Sequence, residues 1–213
     1  MKHYFIGLAM LALLYTSCSS SQQNKEEDTA LKELAALKTR IDNMMSDSTL
    51  QVLVKVKGKR ELQIVEGRGY PRDIETTYNL LRDTTGKVLF ISEMPYNATS
   101  EWFIAYKSYF DTDGKLFAFQ RQNNFLNNGC THGAAMENSI GYYNKEFLLI
   151  DSLYTITDTY KKPLDKKACK FPYNFKYTIS KTLDEYLAAK NIKLASLNRV
   201  QGVLSSRHSE IAE

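Results

Sequence analysis

The stretches YNLLRDTTGKV (residues 78–88) and YKSYFDTDGKL (residues 106–116) are two copies of an internal repeat, offset by 28 residues. In each copy an Asp-Thr-x-Gly-Lys segment joins two runs that are typical of strands. The aspartate accepts hydrogen bonds from the backbone of the turn, and the glycine adopts the left-handed conformation that closes a type I turn with a bulge. The repeat therefore predicts two β-hairpins.

Strand patterns continue on both sides of this repeat. From Leu50 apolar and polar residues alternate, Gly58 marks a turn, and a second short strand is predicted over residues 61–66. Further strands are predicted over residues 115–125 and 147–157. Short strands that follow one another in hairpins favour an antiparallel meander. We therefore predict an α+β fold with a single twisted antiparallel sheet of about six to eight strands.

Two segments have a helical pattern. Thr182 and Glu185 form a capping box before an apolar face that runs to Asn191, which predicts a C-terminal helix. Residues 29–46 predict an N-terminal helix whose narrow apolar stripe suits either a short coiled coil or packing against its own domain. Both helices are expected against one face of the sheet. The apolar stripe of the N-terminal helix consists of Ala30, Leu34, Leu37, Ile41 and Met44.

The N-terminal residues have the pattern of a secretory signal. Lys2 supplies the positive charge, and the apolar run over residues 5–14 is too short to span a bilayer comfortably. The segment Tyr15-Thr16-Ser17-Cys18 resembles the lipobox of bacterial lipoproteins. This resemblance implies that residues 1–17 are a signal peptide and that Cys18 receives a diacylglyceride, which anchors the protein to a membrane.

Residues 18–28 are polar and are predicted to form a flexible tether. The acidic end of this segment, residues 26–28, resembles the surface-export signal of Bacteroidota lipoproteins, and several tripeptides resemble their Asp-Ser/Thr-x O-glycosylation motif. The resemblance implies export through the inner membrane to the outer membrane or cell surface. It leaves open whether the anchor lies in the periplasmic or the outer leaflet. It also implies Ser48, Thr84 and Thr29 as possible O-glycosylation sites. The sheet domain with its C-terminal helix is assigned to residues 50–192, and a polar tail to residues 193–213.

The cysteines predict a disulfide. With Cys18 lipidated, Cys130 and Cys169 remain as an even pair in an oxidising compartment, and two separate thiols are the alternative. His132 near Cys130 would give only two ligands where zinc needs three or four. Asp111 begins a segment that resembles a calcium loop, but Gln122 stands at its twelfth position. We therefore predict no metal site, no cofactor and no catalytic residue.

A basic and aromatic segment lies between residues 160 and 177. It could form a surface for an anionic glycan or a lipid headgroup, with cations for charge and rings for sugar faces. The alternative is a solvated loop whose aromatic side chains enter the core. The candidate residues are Lys161, Lys162, Lys166, Lys167, Lys170, Phe171 and Tyr173.

The composition narrows the functional classes. The chain has 213 residues and a formal net charge of +4, which implies no nucleic-acid partner. We predict a membrane-anchored envelope lipoprotein with a non-catalytic binding or scaffolding domain, whose partners are envelope proteins or anionic glycans. A helix-mediated dimer is a further option. The alternatives are an envelope hydrolase whose carboxylates the sequence does not place, and an inhibitor or immunity-type lipoprotein.

Overall fold

The computed structural model describes residues 19–46, 48–170 and 175–194, with side chains from residue 28 onward. Two α-helices flank the strands, α1 (Ser19–Met44) and α2 (Leu183–Lys190). The strands are β1 (Leu50–Val56), β2 (Gln63–Val65), β3 (Ile74–Arg82), β4 (Val88–Pro95), β5 (Trp102–Phe110), β6 (Leu116–Phe125), β7 (Ala135–Tyr143) and β8 (Leu149–Thr157).

All eight strands form one antiparallel sheet in the order β2-β1-β3-β4-β5-β6-β7-β8. The chain from β3 to β8 is a simple meander, and β1 lies between its hairpin partner β2 and β3. The predicted α+β class with a single antiparallel sheet is thus confirmed. The sequence patterns did not predict β7, which is rich in polar residues and contains Gly141. Pairing with β6 and β8 on its two sides holds β7 in the sheet.

The sheet has an apolar core on each face. Successive residues of a strand point to opposite faces, so the buried neighbours Leu80 and Leu81 belong to different cores. The core around Leu80 contains Tyr186 of α2, whereas the core around Leu81 contains Ile41 of α1. The two helices therefore pack on opposite faces, and the expectation that they share one face was wrong. The central strands are apolar on both faces, so each face needs its own cover.

Helix α1 is longer than the sequence predicted. It begins at Ser19 rather than Thr29, so the backbone of the segment predicted as a tether is helical from Ser19 onward. Gln, Lys and Glu in that segment are good helix formers, and a helix that is nucleated by packing downstream extends at little cost. Leu34 and Ile41 of the predicted stripe pack against the sheet, while Met44 is exposed. The apolar side chains that a coiled coil would use are thus largely covered by the chain's own sheet.

Helix α2 has the predicted capping residues. The Thr182 hydroxyl accepts a hydrogen bond from the backbone N–H of Glu185 (3.2 Å), and the Glu185 carboxylate accepts one from the backbone N–H of Lys181 (2.8 Å). In a capping box the Glu side chain normally bonds the backbone N–H of the N-cap residue itself. Here it bonds that of Lys181, the residue before the N-cap residue Thr182. Asn191 ends the helix in the left-handed conformation, with φ 54°. This cap turns the chain so that Ile192 is buried in the core beneath α2.

The predicted disulfide between Cys130 and Cys169 is present. It joins the β6–β7 loop to the segment that follows β8, and its two cysteines are 39 residues apart in sequence. Cys169 is buried with Ala135 and Ile156 in a small third core. The bridge therefore stabilises the end of the sheet at which β6 and β8 end and β7 begins.

Candidate functional site

The face of the sheet that carries α1 is covered only at one end. The Tyr109 hydroxyl, near the end of β5, donates a hydrogen bond to Asp42 of α1 (2.8 Å). Phe103 lies on the same face six residues earlier, roughly 20 Å away along the strand, and 44% of its surface is exposed. A groove of about 670 Å³ occupies this uncovered end. We call it the sheet-end groove.

The lining of the sheet-end groove is aromatic and almost uncharged. Its floor is formed by side chains of β3 to β6, and its rim by residues of the flanking loops, among them Tyr70, Tyr96 and Leu126. Both tyrosines are more than half exposed. Glu101 is the one charged side chain among the described residues that line the groove. The floor residues are Thr77, Met94, Phe103 and Asn124.

The rim of the groove is held in place by hydrogen bonds. In the β4–β5 loop Asn97 Oδ1 accepts bonds from the backbone N–H (3.1 Å) and the hydroxyl (2.9 Å) of Thr99. Asn97 Nδ2 donates to the carbonyl oxygen of Trp102 (3.1 Å). The backbone N–H of Leu126 donates to the carbonyl oxygen of Glu101 (2.9 Å), which ties this loop to the end of β6. A rim ordered before binding loses less conformational entropy when a ligand arrives.

One polar group in the groove has no partner within the described protein. The Oδ1 atom of Asn124 is buried and accepts no hydrogen bond from the described atoms. An unsatisfied buried acceptor of this kind costs about 1–3 kcal/mol. A ligand hydroxyl or amide placed on the floor, with a small rotation of the amide, would supply the missing donor.

The opposite face holds a buried carboxylate beneath α2. Glu93 of β4 accepts hydrogen bonds from the hydroxyls of Tyr177 (2.8 Å) and Tyr186 (3.1 Å), and Lys190 Nζ donates to it at 2.8 Å. Burial raises the pKa values of both tyrosines well above their usual range, and the charge of Glu93 adds to this effect. The ring of Tyr177 also stacks on Tyr106, with ring centroids 3.9 Å apart. The carboxylate is therefore a fixed acceptor that attaches α2 to the sheet.

A second buried carboxylate lies on the same face. Glu137 of β7 accepts hydrogen bonds from Arg121 (2.9 Å), Asn123 (2.5 Å) and Tyr154 (2.9 Å). Burial alone would raise the pKa of Glu137, but the hydrogen bonds from Arg121, Tyr154 and Asn123 and the charge of Arg121 lower it below its usual value. Glu137 is thus an ionised group with a complete set of donors.

The two carboxylates do not form a catalytic pair. They lie on β4 and β7, three strand spacings apart in the sheet, which is a separation of about 14 Å. Paired carboxylates that hydrolyse glycosidic bonds stand roughly 5–9.5 Å apart. Since each carboxylate is already bonded to a cation and to at least one tyrosine hydroxyl group, their geometry is that of structural anchors.

The predicted basic surface is described only in part. Its five lysines are all exposed, but Phe171 and Tyr173 lie outside the described residues. Lys166 Nζ lies 3.9 Å from the centre of the Tyr154 ring, a cation–π contact. Tyr160, next to this surface, is 90% exposed. The lysines therefore lie in the solvated segment that follows β8 and ends at Lys170.

The other predicted sites are distributed over the molecule. Cys18 lies outside the described residues. Thr29 is exposed on α1, Ser48 is exposed between α1 and β1, and Thr84 is exposed at the tip of the β3–β4 hairpin. Among the described residues no group of three or more His, Cys, Asp or Glu side chains could hold a metal ion. These sites therefore do not converge on the sheet-end groove.

Sequence patterns missed the groove residues. Tyr70, Tyr96 and Leu126 stand in loops next to strand ends, where a single apolar residue carries no periodic signal. Trp102 packs partly against the core beneath α2 and also lines the groove. Only the fold brings these loops together at one end of the sheet.

No protein-family model matches the chain, and no curated protein or solved structure shows significant similarity to it. Neither of the two described helices is long and apolar enough to cross a membrane. The groove and the residues around it are therefore the basis for a functional proposal.

Proposed function

We propose that this protein is a membrane-anchored lipoprotein of the bacterial envelope, attached through Cys18, whose sheet domain is a non-catalytic binding module. The sheet-end groove is the observation that carries the proposal. A preformed concave site with apolar walls and a few polar groups is the usual form of a ligand site. The anchor at Cys18 and the location at the outer membrane or cell surface rest on the lipobox resemblance.

The chemistry of the groove favours an uncharged saccharide. Rings such as Tyr96 and Phe103 offer flat apolar surfaces that suit the C–H faces of a sugar ring. Asn124 offers its unpaired amide oxygen to a hydroxyl, and the described lining residues include no cationic side chain that would bind an anion. The predicted preference for anionic glycans therefore applies to the lysine segment after β8 and not to this groove.

A hydrolase is the less favoured function. Glu93 and Glu137 lie on strands too far apart for the paired-carboxylate mechanism, and both are on the face of the sheet opposite the groove. The groove itself contains a single carboxylate, that of Glu101, among the described residues. This carboxylate accepts hydrogen bonds from Thr99 (3.2 Å) and Asn127 (3.4 Å) at the rim.

The proposal is tested by binding to a panel of immobilised neutral and acidic oligosaccharides. We expect retention on neutral saccharides, and a loss of at least about tenfold in affinity for Tyr96→Ala and for Phe103→Ala, because each removes an exposed ring. Tyr160→Ala is the matched control, since it removes an exposed ring that does not line the groove. Equal effects of all three substitutions, or no retention on any saccharide, would contradict the proposal.

A further inference from the structure

The free edge of the sheet formed by β8 carries an unusual set of exposed apolar side chains. Leu148, Leu149 and Leu153 are 62%, 56% and 51% exposed, and Tyr160 follows in the next turn. Exposed single apolar residues are common, but here four of them follow the edge strand and the turns at its two ends, with Leu149 and Leu153 on opposite faces of the sheet. We call these four residues, together with Lys161, Lys162, Lys166 and Lys167, the β8 edge surface.

The β8 edge surface is strongly basic at one end. The segment from Asp158 to Lys170 contains five exposed lysines and two aspartates. Asp158 accepts hydrogen bonds from the backbone N–H groups of Tyr160 and Lys162, and Asp165 accepts one from Lys167. Both aspartates thus accept hydrogen bonds from the turn backbone, and none of the five lysines forms a side-chain ion pair among the described residues, although Lys166 lies over the ring of Tyr154.

The edge is poorly suited to pairing with another strand. The backbone N–H of Leu164 donates to the carbonyl oxygen of Ile156 (3.0 Å), so the segment after β8 occupies the outer side of the strand at that point. In an edge strand only every second residue points its backbone N–H and C=O groups away from the sheet. On β8 these residues are Ile156 and, before it, Tyr154 and Ser152, so only the last two could pair with another strand. Suppose that β8 of a second copy paired antiparallel with this edge, with the two Leu153 residues opposite each other. Ile150 of that copy would then lie opposite Ile156, in the place that Leu164 already occupies.

Helix α1 runs toward this same edge in the N-terminal direction. Asp42 contacts Tyr109 of β5, whereas Ala30 and Leu34 line a small cavity with Asn144 and Ile150 of the β7–β8 hairpin. Going back along α1 from residue 42 to residue 30 therefore leads across the sheet from β5 to β8. The first ten residues of the helix continue beyond the edge for about 15 Å. A lipid on Cys18 would thus enter the membrane on the β8 side of the molecule.

We infer that the β8 edge surface docks on an anionic phospholipid bilayer, with its leucines and Tyr160 at the headgroup level and its lysines on the lipid phosphates. The inference uses the proposed anchor at Cys18 for its orientation. Apolar side chains and basic residues together are what interfacial binding requires, and a single anchor gains from such a second contact. Docked in this way, the edge would hold the domain against the membrane with its sheet upright.

The test uses residues 19–213 without an acyl chain, because this segment contains every helix and strand of the structure. We expect it to cosediment with vesicles of phosphatidylglycerol and phosphatidylcholine and not with vesicles of phosphatidylcholine alone. The triple substitution Lys161→Glu, Lys162→Glu and Lys167→Glu should lower the vesicle partition at least about 100-fold. Leu148→Ser with Leu153→Ser should lower it roughly tenfold or more.

Matched controls come from other parts of the surface. Lys57→Glu, Lys59→Glu and Arg60→Glu make the same charge change in the β1–β2 turn, at the other edge of the sheet, and Leu126→Ser removes an exposed leucine from the sheet-end groove. These controls should bind like the unaltered protein. Circular dichroism of each variant confirms that it is folded before its partition is compared.

Three results would overturn the inference. The first is no binding to anionic vesicles, and the second is an equal loss of vesicle binding in the two triple charge variants. The third is sedimentation that finds a dimer for the unaltered protein and a monomer for the double leucine variant, because the edge would then be an interface between copies. Because the tested protein carries no acyl chain and the experiment measures no saccharide binding, failure here leaves the anchor at Cys18 and saccharide binding to be judged by their own experiments.

Discussion

The buried glutamates Glu93 and Glu137 show how single residues attach the parts of this fold. Each lies on the face beneath α2 and receives three hydrogen bonds from side chains of other elements. Removing one partner from a buried ion pair leaves an uncompensated charge, which costs more than the pair itself contributes. Substituting each glutamate therefore measures how much the folded protein depends on it for stability.

We expect Glu137→Gln to lower the free energy of unfolding by about 3 kcal/mol at pH 7, because Arg121 loses its buried counter-charge. The pKa of Glu137 lies below its usual value of 4.5, so its stabilising contribution is complete above pH 4.5 and is lost as the pH falls through the lower, folded-state value. The difference between the two proteins should therefore shrink in acid. Urea unfolding at pH 7 and pH 3 measures it, and a difference that grows in acid would contradict the argument.

At the scale of elements, the hairpin turns share one hydrogen-bond pattern. In four turns the first residue accepts bonds from the second and fourth residues that follow it, through its side-chain Oδ1. The fourth residue of each turn has a positive φ. The repeat predicted two of these turns because they contain Gly86 and Gly114. The other two were missed because Phe147 and Lys161 occupy the left-handed position.

This difference gives a test at the level of the turns. Gly86 has φ +86° with no atom near the position of an added Cβ, so Gly86→Ala should cost about 1 kcal/mol through backbone strain alone. Lys161→Gly should leave stability within roughly 0.5 kcal/mol, because relief of the strain offsets the greater entropy of glycine in the unfolded chain. Thermal or urea unfolding of both variants decides, and an equal loss in the two would refute the strain account.

At the scale of the whole molecule, the disulfide secures the end of the sheet beside the groove. A bridge that closes a loop of this length stabilises the fold by up to about 4 kcal/mol in the chain-entropy model. We expect reduction to lower the urea midpoint, and Cys130→Ala with Cys169→Ala to give a protein whose midpoint no longer responds to reductant. A midpoint that is the same with and without reductant in the unaltered protein would show that the bridge contributes nothing.

The proposed membrane attachment rests on Cys18, which lies outside the described part of the chain. Cys18→Ser removes the proposed lipidation site, so we expect the variant to leave the membrane fraction or to remain unprocessed. Fractionation and intact mass of the protein expressed in a bacterium that lipidates exported proteins provide the measurement. Unchanged mass and unchanged membrane partition would refute lipidation. A weak residual association of the variant with anionic membranes is expected from the β8 edge surface.

The sequence by itself determined the features that depend on neighbouring residues. The aspartate and glycine of the two repeat turns predicted their hairpins, Thr182 and Glu185 predicted the start of α2, and alternation from Leu50 predicted β1. The cysteine count also predicted the disulfide. Each of these follows from local hydrogen bonds, local periodicity or simple pairing, which a short stretch of chain contains in full.

The tertiary structure alone decided the features that depend on distant residues. β7 is a strand because β6 and β8 pair with it, despite its polar sequence, and α1 and α2 lie on opposite faces because both faces of the central strands are apolar. The sheet-end groove exists because α1 is placed over only one end of its face, which leaves Phe103 and the rings of the two loop residues Tyr70 and Tyr96 uncovered. Packing and burial are properties of the whole fold, so no local pattern could contain them.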